Sequence, residues 1–234
     1  GPRSAAFLSK AAAAYSRIAS RATPPAVRRL RLALLSSSAT ELSAPLLRLL
    51  CFRDGIDAEM YIGPFDGYRQ DILDPGSKLY TFSPDIVIID THWRDAHLSA
   101  YADDPAAQVE RVTEELGRLW RTLLSRLPCR IIQHGFDLPA SEPYGHLASA
   151  SPGGAVRLLR RINDRLLDSA PPSVTILDAE RISGTYGTAK WDDHRYWHSM
   201  RQHPAAEALP ELAEHQVALI RAALGLTKKV LALD

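Results

Sequence analysis

The 234-residue sequence holds only two cysteines and two methionines. Cys51 and Cys129 lie far apart and form no CxxC pair, which removes the usual basis for a structural zinc site. Each sits beside an apolar segment and is expected as a buried, inert thiol. Neither sign of charge is in excess: 28 Lys and Arg stand against 27 Asp and Glu, a net charge of +1. That leaves no electrostatic case for nucleic acid or an anionic membrane as partner. No apolar run approaches the ~20 residues of a membrane span. The stretch Ala5–Tyr15 is too interrupted for a signal peptide and has no cleavage-site pattern, so a cytoplasmic setting is expected. Three glycine-dependent motifs are also missing. There is no GxGxxG dinucleotide fingerprint, no Walker A loop and no GxSxG nucleophile elbow.

What is present is a regular alternation. After an Ala-rich helix over residues 4–20, Pro24 and Pro25 break the chain. Buried strands are then expected at Leu30–Ser36, Ile56–Ile62, Ser83–Thr91, CRIIQHG and SVTILDAE. Helices fall between them. One is ELSAPLLRLLCF with Thr40 as its cap, one runs from Asp104-Pro105 to about Leu127, and one opens at Ser151-Pro152 and ends near Ala170. A last helix covers Leu209–Leu224. Five β-α alternations predict an α/β fold with a five-stranded parallel sheet covered on both faces. The domain is placed at 28–226, with a helix and linker over 1–27 and the start of another domain at 227–234.

In such sheets ligands gather outside the carboxyl ends of the strands. The loops there are SSSAT, GPFDG, THWRD, QHGFDLP and WDDHRYWHSMRQHP, and they hold the least ordinary residues of the chain. Ser36, Ser37 and Ser38 follow the first strand. They can offer a nucleophile or merely cap the next helix. The late loop carries Asp192 and Asp193 with His194, His198 and His203, a set able to supply a base and an orienting carboxylate, or a polar surface loop pinned by Trp191, Tyr196 and Trp197. Metal binding lacks a fixed third ligand, and none is expected. Arg94 is a permanent cation suited to a carboxylate, a phosphate or an oxyanion, or to a plain ion pair. His92 and Trp93 can line a pocket or shield the sheet edge. His134 and Gln133 stand at the mouth of the fourth strand, as site residues or as loop braces. The KWDD and RLRL clusters read as solvated surface.

Two resemblances sharpen this. The order of elements and the end-of-strand loops resemble the SGNH (GDSL-like) hydrolases, a flavodoxin-like three-layer fold. SSS stands where that family has GDS, which implies Ser38 as nucleophile. Gly63 falls near the glycine block that donates to the oxyanion. PDIVIIDTHWRD is similar to the strand bearing GxND, with Arg94 at the asparagine, and RQHPA places His203 at the catalytic histidine. The chain departs from the family in lacking the Gly-Asp of GDS, in having Arg for Asn, and in having Met200 three residues before His203.

The second resemblance covers residues 28–234. DPGSKLYTFSPDIVIID, IIQHGFDLPASEPYG, RRINDRLL, VTILDAERISGTYGTAKWDDHRYW and the terminal TKKVLALD resemble the N-terminal half of FkbH-like proteins of polyketide pathways. That family continues into a HAD-type domain and loads a glyceryl unit from a phosphorylated donor onto an acyl carrier protein. The resemblance implies that phosphate and Mg²⁺ chemistry belong to that second half.

The expectation that joins these readings is an acyl-transfer domain of a polyketide synthase pathway. Ser38 would attack or accept, with His203 or His194 as base and Asp192 or Asp193 orienting it. Arg94 and the backbone N–H groups of Gly63 and Ser38 would hold the oxyanion, and Ser37, His92 and His134 would line the substrate. No cofactor is expected beyond the phosphopantetheine arm that carries the substrate. The expected partners are an acyl carrier protein and a neighbouring synthase or HAD-like domain. The alternatives are a non-catalytic carrier-docking module and an SGNH esterase. The lost Gly-Asp favours docking, while the cluster of His and Asp near His203 favours chemistry.

Overall fold

The computed structural model describes residues 4–19 and 28–226. The expected linker at 20–27 and the expected domain start at 227–234 lie outside the described residues. Five strands, β1 (Arg28–Ser36), β2 (Ile56–Ile62), β3 (Ile86–Asp90), β4 (Arg130–His134) and β5 (Val174–Leu177), form one sheet in the order β2-β1-β3-β4-β5. Every pairing is parallel. The order reverses between β1 and β3, which opens a crevice at their carboxyl ends.

Alternation along each strand sorts the side chains into two cores. Leu30, Leu32 and Leu34 of β1 join Ile86, Ile88 and Ile132 on one face. There α2 (Ser43–Arg53), α8 (Ala179–Tyr186) and α11 (Leu209–Ala223) cover them. Ala33, Leu35, Val87, Ile89 and Ile131 point the other way. They pack under α3 (Tyr68–Leu73), α4 (Lys78–Phe82), α5 (Pro105–Arg126) and α7 (Ala155–Ser169), with α6 (Leu147–Ala150) beside α7. The strands are apolar on both faces because both faces are covered. The helix α1 (Ala5–Ala19) lies outside the first layer against α2 and is anchored by Ala12 and Tyr15. Both cysteines are buried free thiols, and burial lifts Cys51 to about 12 and Cys129 to about 11.

Two helix starts differ from expectation. Thr40 does not cap α2 with its side chain. Its carbonyl accepts Ala44 N–H at 2.9 Å, and the helix begins three residues later at Ser43. Ser151-Pro152 does not open α7, because Ser151 ends α6 and Gly154 precedes Ala155. The carbonyl of Ala148 passes so close that a Cβ at Gly154 would sit 2.1 Å from it, so the turn between the helices requires glycine. Asp104, by contrast, accepts Ala107 N–H at 3.0 Å and caps α5 with Pro105 in the first turn. No helix among the described residues is long and apolar enough to cross a membrane.

Leu34 is 1% exposed in the middle of the first core, and Ile18 on α1 is 64% exposed. Leu34→Ala should lower unfolding free energy by about 2–5 kcal/mol. Ile18→Ala should change it by about 0.5 kcal/mol or less. Urea titration of the two variants measures both.

Candidate functional site

The register of the sheet explains the first layer of the site. Ser36 pairs with Asp90 at the end of the β1–β3 ladder, so their side chains stand together on one face. Carrying the β3–β4 register one pair beyond Ile89 and Gln133 brings His134 beside Asp90. The result is a polar row across three adjacent strands. Ser36 Oγ donates to Asp90 Oδ2 at 2.9 Å, and His134 Nδ1 lies 2.8 Å from Asp90 Oδ1. Gln216, reaching down from α11 on the same face, meets His134 Nε2 at 3.2 Å. Gln133 points to the opposite face, where it accepts from Trp120 Nε1 at 3.0 Å and donates to Thr91 Oγ1 at 2.9 Å. His134 is thus a buried brace beneath the mouth of the crevice and does not line it.

The second layer lies on the loop after β3. His92 caps a single 3₁₀ turn, Trp93–Ala96, in a reciprocal box: its Nδ1 accepts Arg94 N–H at 3.3 Å, and Asp95 Oδ2 accepts His92 N–H at 2.8 Å. Ser37 Oγ donates to the same Asp95 oxygen at 2.6 Å. Burial pushes the Asp95 carboxyl up to about 6 against the pull of those two bonds. Burial also drives the His92 imidazole well below its ordinary value, and the neighbouring His203 charge adds to this, so His92 is neutral.

The third layer is an ion cluster centred on His203. Its Nε2 lies 2.6 Å from Asp137 Oδ2, and its Nδ1 lies 3.6 Å from Asp192 Oδ1. Asp137 also accepts Trp93 N–H at 3.0 Å and Trp191 Nε1–H at 2.9 Å. Asp192 accepts Arg94 Nη1–H at 3.1 Å, Trp93 Nε1–H at 3.2 Å and Ala140 N–H at 3.1 Å. Burial alone would lower the His203 imidazole. The charge and hydrogen bond of Asp137, with Asp192 behind them, outweigh it and hold the group at about 9. Burial would likewise raise both carboxyls, and the His203 charge brings each below its ordinary value. Two anions face two cations, His203 and Arg94, and the cluster is neutral as a whole. The Arg94 guanidinium lies over the rings of Trp93, 4.1 Å from its centroid, and Trp197, 4.7 Å from its centroid.

Several sequence-based expectations need correction against this geometry. Ser38 and His203 share the crevice, but Ser38 Oγ donates to the His203 backbone carbonyl at 3.2 Å, and no hydrogen bond joins it to a histidine ring nitrogen. The Ser38 N–H is taken by Ser36 Oγ at 3.0 Å, and the Gly63 N–H by the Leu34 carbonyl at 2.9 Å, which extends the β1–β2 ladder. Neither is a free oxyanion donor, and Arg94 is bound to Asp192 instead of an open oxyanion position. Ser37 is held by Asp95 and buried. His194 is exposed at the start of α10 (His194–Met200) and stacks on His198, away from the serines. Asp193 caps α10 and pairs with Arg195. The KWDD cluster is not solvated surface: Asp192 is 2% exposed, and Trp191, the last residue of α9 (Thr188–Trp191), is as deeply buried.

Sequence reasoning missed Asp137, the nearest carboxylate to His203. It lies in QHGFDLP, the loop that also holds His134 and Gln133. The available signal was an aspartate three residues past a buried strand, at the end of the sheet where ligands gather. Asp90 was also not assigned a role, and Trp197 was read only as a pin for the late loop.

The His203 cluster makes stability depend on pH with a definite sign. Its folded value is raised above the unfolded one. The contribution is therefore complete below about pH 6.5 and is lost as pH rises through about 9. Over that window the folded chain holds one more proton than the unfolded chain, and unfolding free energy falls by up to about 1.4 kcal/mol per pH unit from this group. His203→Gln should remove this component. In urea titrations from pH 6.5 to 8.5, the stability difference between wild type and variant should shrink steadily. A difference that stays constant would mean that His203 is neutral in the folded chain.

The comparisons with known proteins agree with the architecture. The family model of the FkbH N-terminal domain matches residues 31–221. The N-terminal part of the Bacteroides fragilis protein BF1531, which contains a phosphatase domain and was crystallised with Mg, superposes with a TM-score of 0.77 at 21% identity. That match covers 95% of this chain and 57% of the Bacteroides chain, so this chain spans a little over half of that structure. A GDSL-like lipase from Parabacteroides merdae superposes with a TM-score of 0.51 at 15% identity, covering 85% of this chain and 96% of the lipase. At those identities both show a shared fold and no more. No curated protein matches the sequence. The five-stranded GDSL-like sheet and the match over most of its length place this chain in the FkbH family, as an FkbH N-terminal domain.

Proposed function

We propose that this domain is an acyl-handling binding module. It receives the acyl end of a carrier-borne chain at the mouth of the sheet and performs no serine attack of its own. One observation carries the reading: every group a serine mechanism needs is already engaged. The Ser38 hydroxyl and N–H are hydrogen-bonded, the Gly63 N–H is in the ladder, and His203 is held between two carboxylates in its protonated form. A protonated imidazole cannot take the proton of a hydroxyl, and an occupied N–H cannot meet an oxyanion.

Two surfaces at the same mouth suit a ligand and its carrier. A cavity of about 460 Å³ opens beside the 3₁₀ turn, walled by Trp93, Leu98, Pro139, Pro143 and Leu159 with Arg94 at its edge. Apolar walls with few polar groups are what a short acyl chain and the amide-bearing arm behind it require. Beyond the serine loop, Leu42, Phe65 and Met200 are 42%, 58% and 47% exposed around a second groove with Glu41 and Arg201 at its rim. Apolar side chains gathered with a charged rim fit a protein partner, and the acyl carrier protein of the FkbH pathway is the partner proposed. The chemistry on the acyl group is assigned to a HAD-like neighbour.

A second reading, acyl transfer through Ser38, is favoured by one observation: its Oγ lies 3.2 Å from the residue that bears the imidazole. It would need His203 to exchange Asp137 for Ser38.

A fluorophosphonate probe separates the two. The binding reading expects no covalent labelling of wild type. Labelling that disappears in Ser38→Ala would overturn it in favour of the transferase. For the partner surface, Phe65→Asp should weaken binding of an acyl-loaded carrier protein about tenfold or more while leaving the urea midpoint unchanged. Titration calorimetry reads the first and a denaturation curve the second. Equal affinity would remove the groove from the interface.

A further inference from the structure

We infer that the Nε2–H of His92 is the hydrogen-bond donor for the carbonyl oxygen of the bound acyl group, and that the α10 helix, which covers this donor, moves to expose it. The inference rests on the acyl-binding reading and names the atom that makes the contact.

His92 is 3% exposed, and its tautomer follows from its partners. Nδ1 accepts the Arg94 N–H, so the lone pair is on Nδ1 and the proton is on Nε2. That Nε2 has no hydrogen-bond partner, and among the described residues it is the only such buried side-chain atom in this cluster. Asp95 Oδ2 lies 3.8 Å away, beyond hydrogen-bond reach, and already accepts from Ser37 and from the His92 backbone. Leaving a buried donor unpaired costs free energy, and a folded chain carries few of them. The backbone donors of the serine loop and the glycine turn are already taken, since the Ser38 and Gly63 N–H groups are on protein oxygens. His92 therefore supplies what the serine loop does not.

The chemistry of the acceptor follows from the neighbours. The charges of Asp137, Asp192, His203 and Arg94 balance, so the surroundings do not call for an ionic ligand. A neutral imidazole donor in such a place suits a neutral oxygen, and a thioester carbonyl is one. The rings packed on His92 are His203, at a centroid distance of 4.6 Å, and Trp197, edge-on at 4.8 Å. Trp197 belongs to α10, a seven-residue helix with no buried residue. Apart from the Tyr196 hydroxyl on Glu207 and the bonds at its C-terminal end, its inward contacts are the Trp197 ring on His92 and Arg94. A helix so lightly anchored can lift without breaking a core, and moving Trp197 uncovers the His92 ring.

The test uses wild-type protein carrying ¹⁵N-labelled histidine and two probes, S-acetyl-pantetheine and S-ethyl-pantetheine. They share every group except the thioester carbonyl. Long-range ¹H–¹⁵N spectra should show His92 as the neutral Nε2–H form. S-acetyl-pantetheine should shift that nitrogen and its proton downfield, and the thioether should not. His92→Asn, whose side-chain oxygen can keep accepting the Arg94 N–H while the Nε2 donor is lost, should weaken the acetyl compound about tenfold, the worth of one hydrogen bond from a buried donor, and leave the ethyl compound unchanged. Trp197→Ala should speed solvent exchange of the His92 proton. If both compounds bind with an unmoved His92 resonance, or if His92→Asn weakens both alike, this inference is overturned and the acyl-binding reading stands. If neither compound binds wild type, both fall together.

Discussion

Two carboxylates and two cations are buried together at the mouth of this sheet, and none of the four can be taken away without stranding another. Asp137 and Asp192 hold His203 from both sides, and Arg94 balances Asp192. Removing charges from water costs several kcal/mol per ion, and the attraction between them offsets this only when hydrogen bonds satisfy the remaining lone pairs. Here they do. Trp93 donates its backbone N–H to one aspartate and its indole N–H to the other, while Trp191 and Ala140 supply further donors. Loops after β3, β4 and β5 meet in this cluster. It fixes loops that the sheet alone would leave free.

The same cluster decides the chemistry. In a serine hydrolase the imidazole must be neutral and must face the hydroxyl. With carboxylates beside both ring nitrogens, His203 is held at about 9, in its protonated form at neutral pH, and neither nitrogen hydrogen-bonds Ser38. Stability of the loops and readiness of the base make opposite demands on one side chain, and in this structure the first prevails. That is why a chain with a serine, a histidine and an aspartate in one crevice can still be without a triad. Composition at a strand end shows which groups are near each other and leaves open which atoms they turn toward.

The sheet was legible because its signals are local. Ile56–Ile62 reads as a strand from its own alternation, and Asp104-Pro105 marks a helix start from two residues. The site was legible only as a set of loops. Ser38, His203, Asp192, Arg94 and His92 do converge. Asp193 and His194, adjacent to Asp192 in sequence, do not, since one caps α10 and the other is turned to solvent. Nothing in WDDHRYWH separates Asp192 from Asp193. The indole of Trp93 and the guanidinium of Arg94, about a hundred residues earlier, select the first together with the Ala140 amide and His203. Asp137 was missed for the same reason, because its partner His203 lies 66 positions away. Gly63 was placed correctly at the end of β2 and was misread in function, because a ladder bond to Leu34 cannot be seen in a glycine.

The two imidazoles at the mouth divide the labour in a way that depends on their being adjacent. His203 takes a proton because two anions face it. His92, 4.6 Å away between ring centres, is kept from taking one partly by that charge. Were His203 neutral, that part of the penalty on protonating His92 would fall while the larger part, burial, remained; only a proton on Nδ1 would release the Arg94 amide that starts the 3₁₀ turn. The turn sets Trp93 and Arg94, and these in turn satisfy Asp192. The tautomer of one ring, the charge of the other and the position of the loop after β3 are thus one linked state. A neutral donor with no partner in the protein persists at its centre because the arrangement around it is fixed by other bonds.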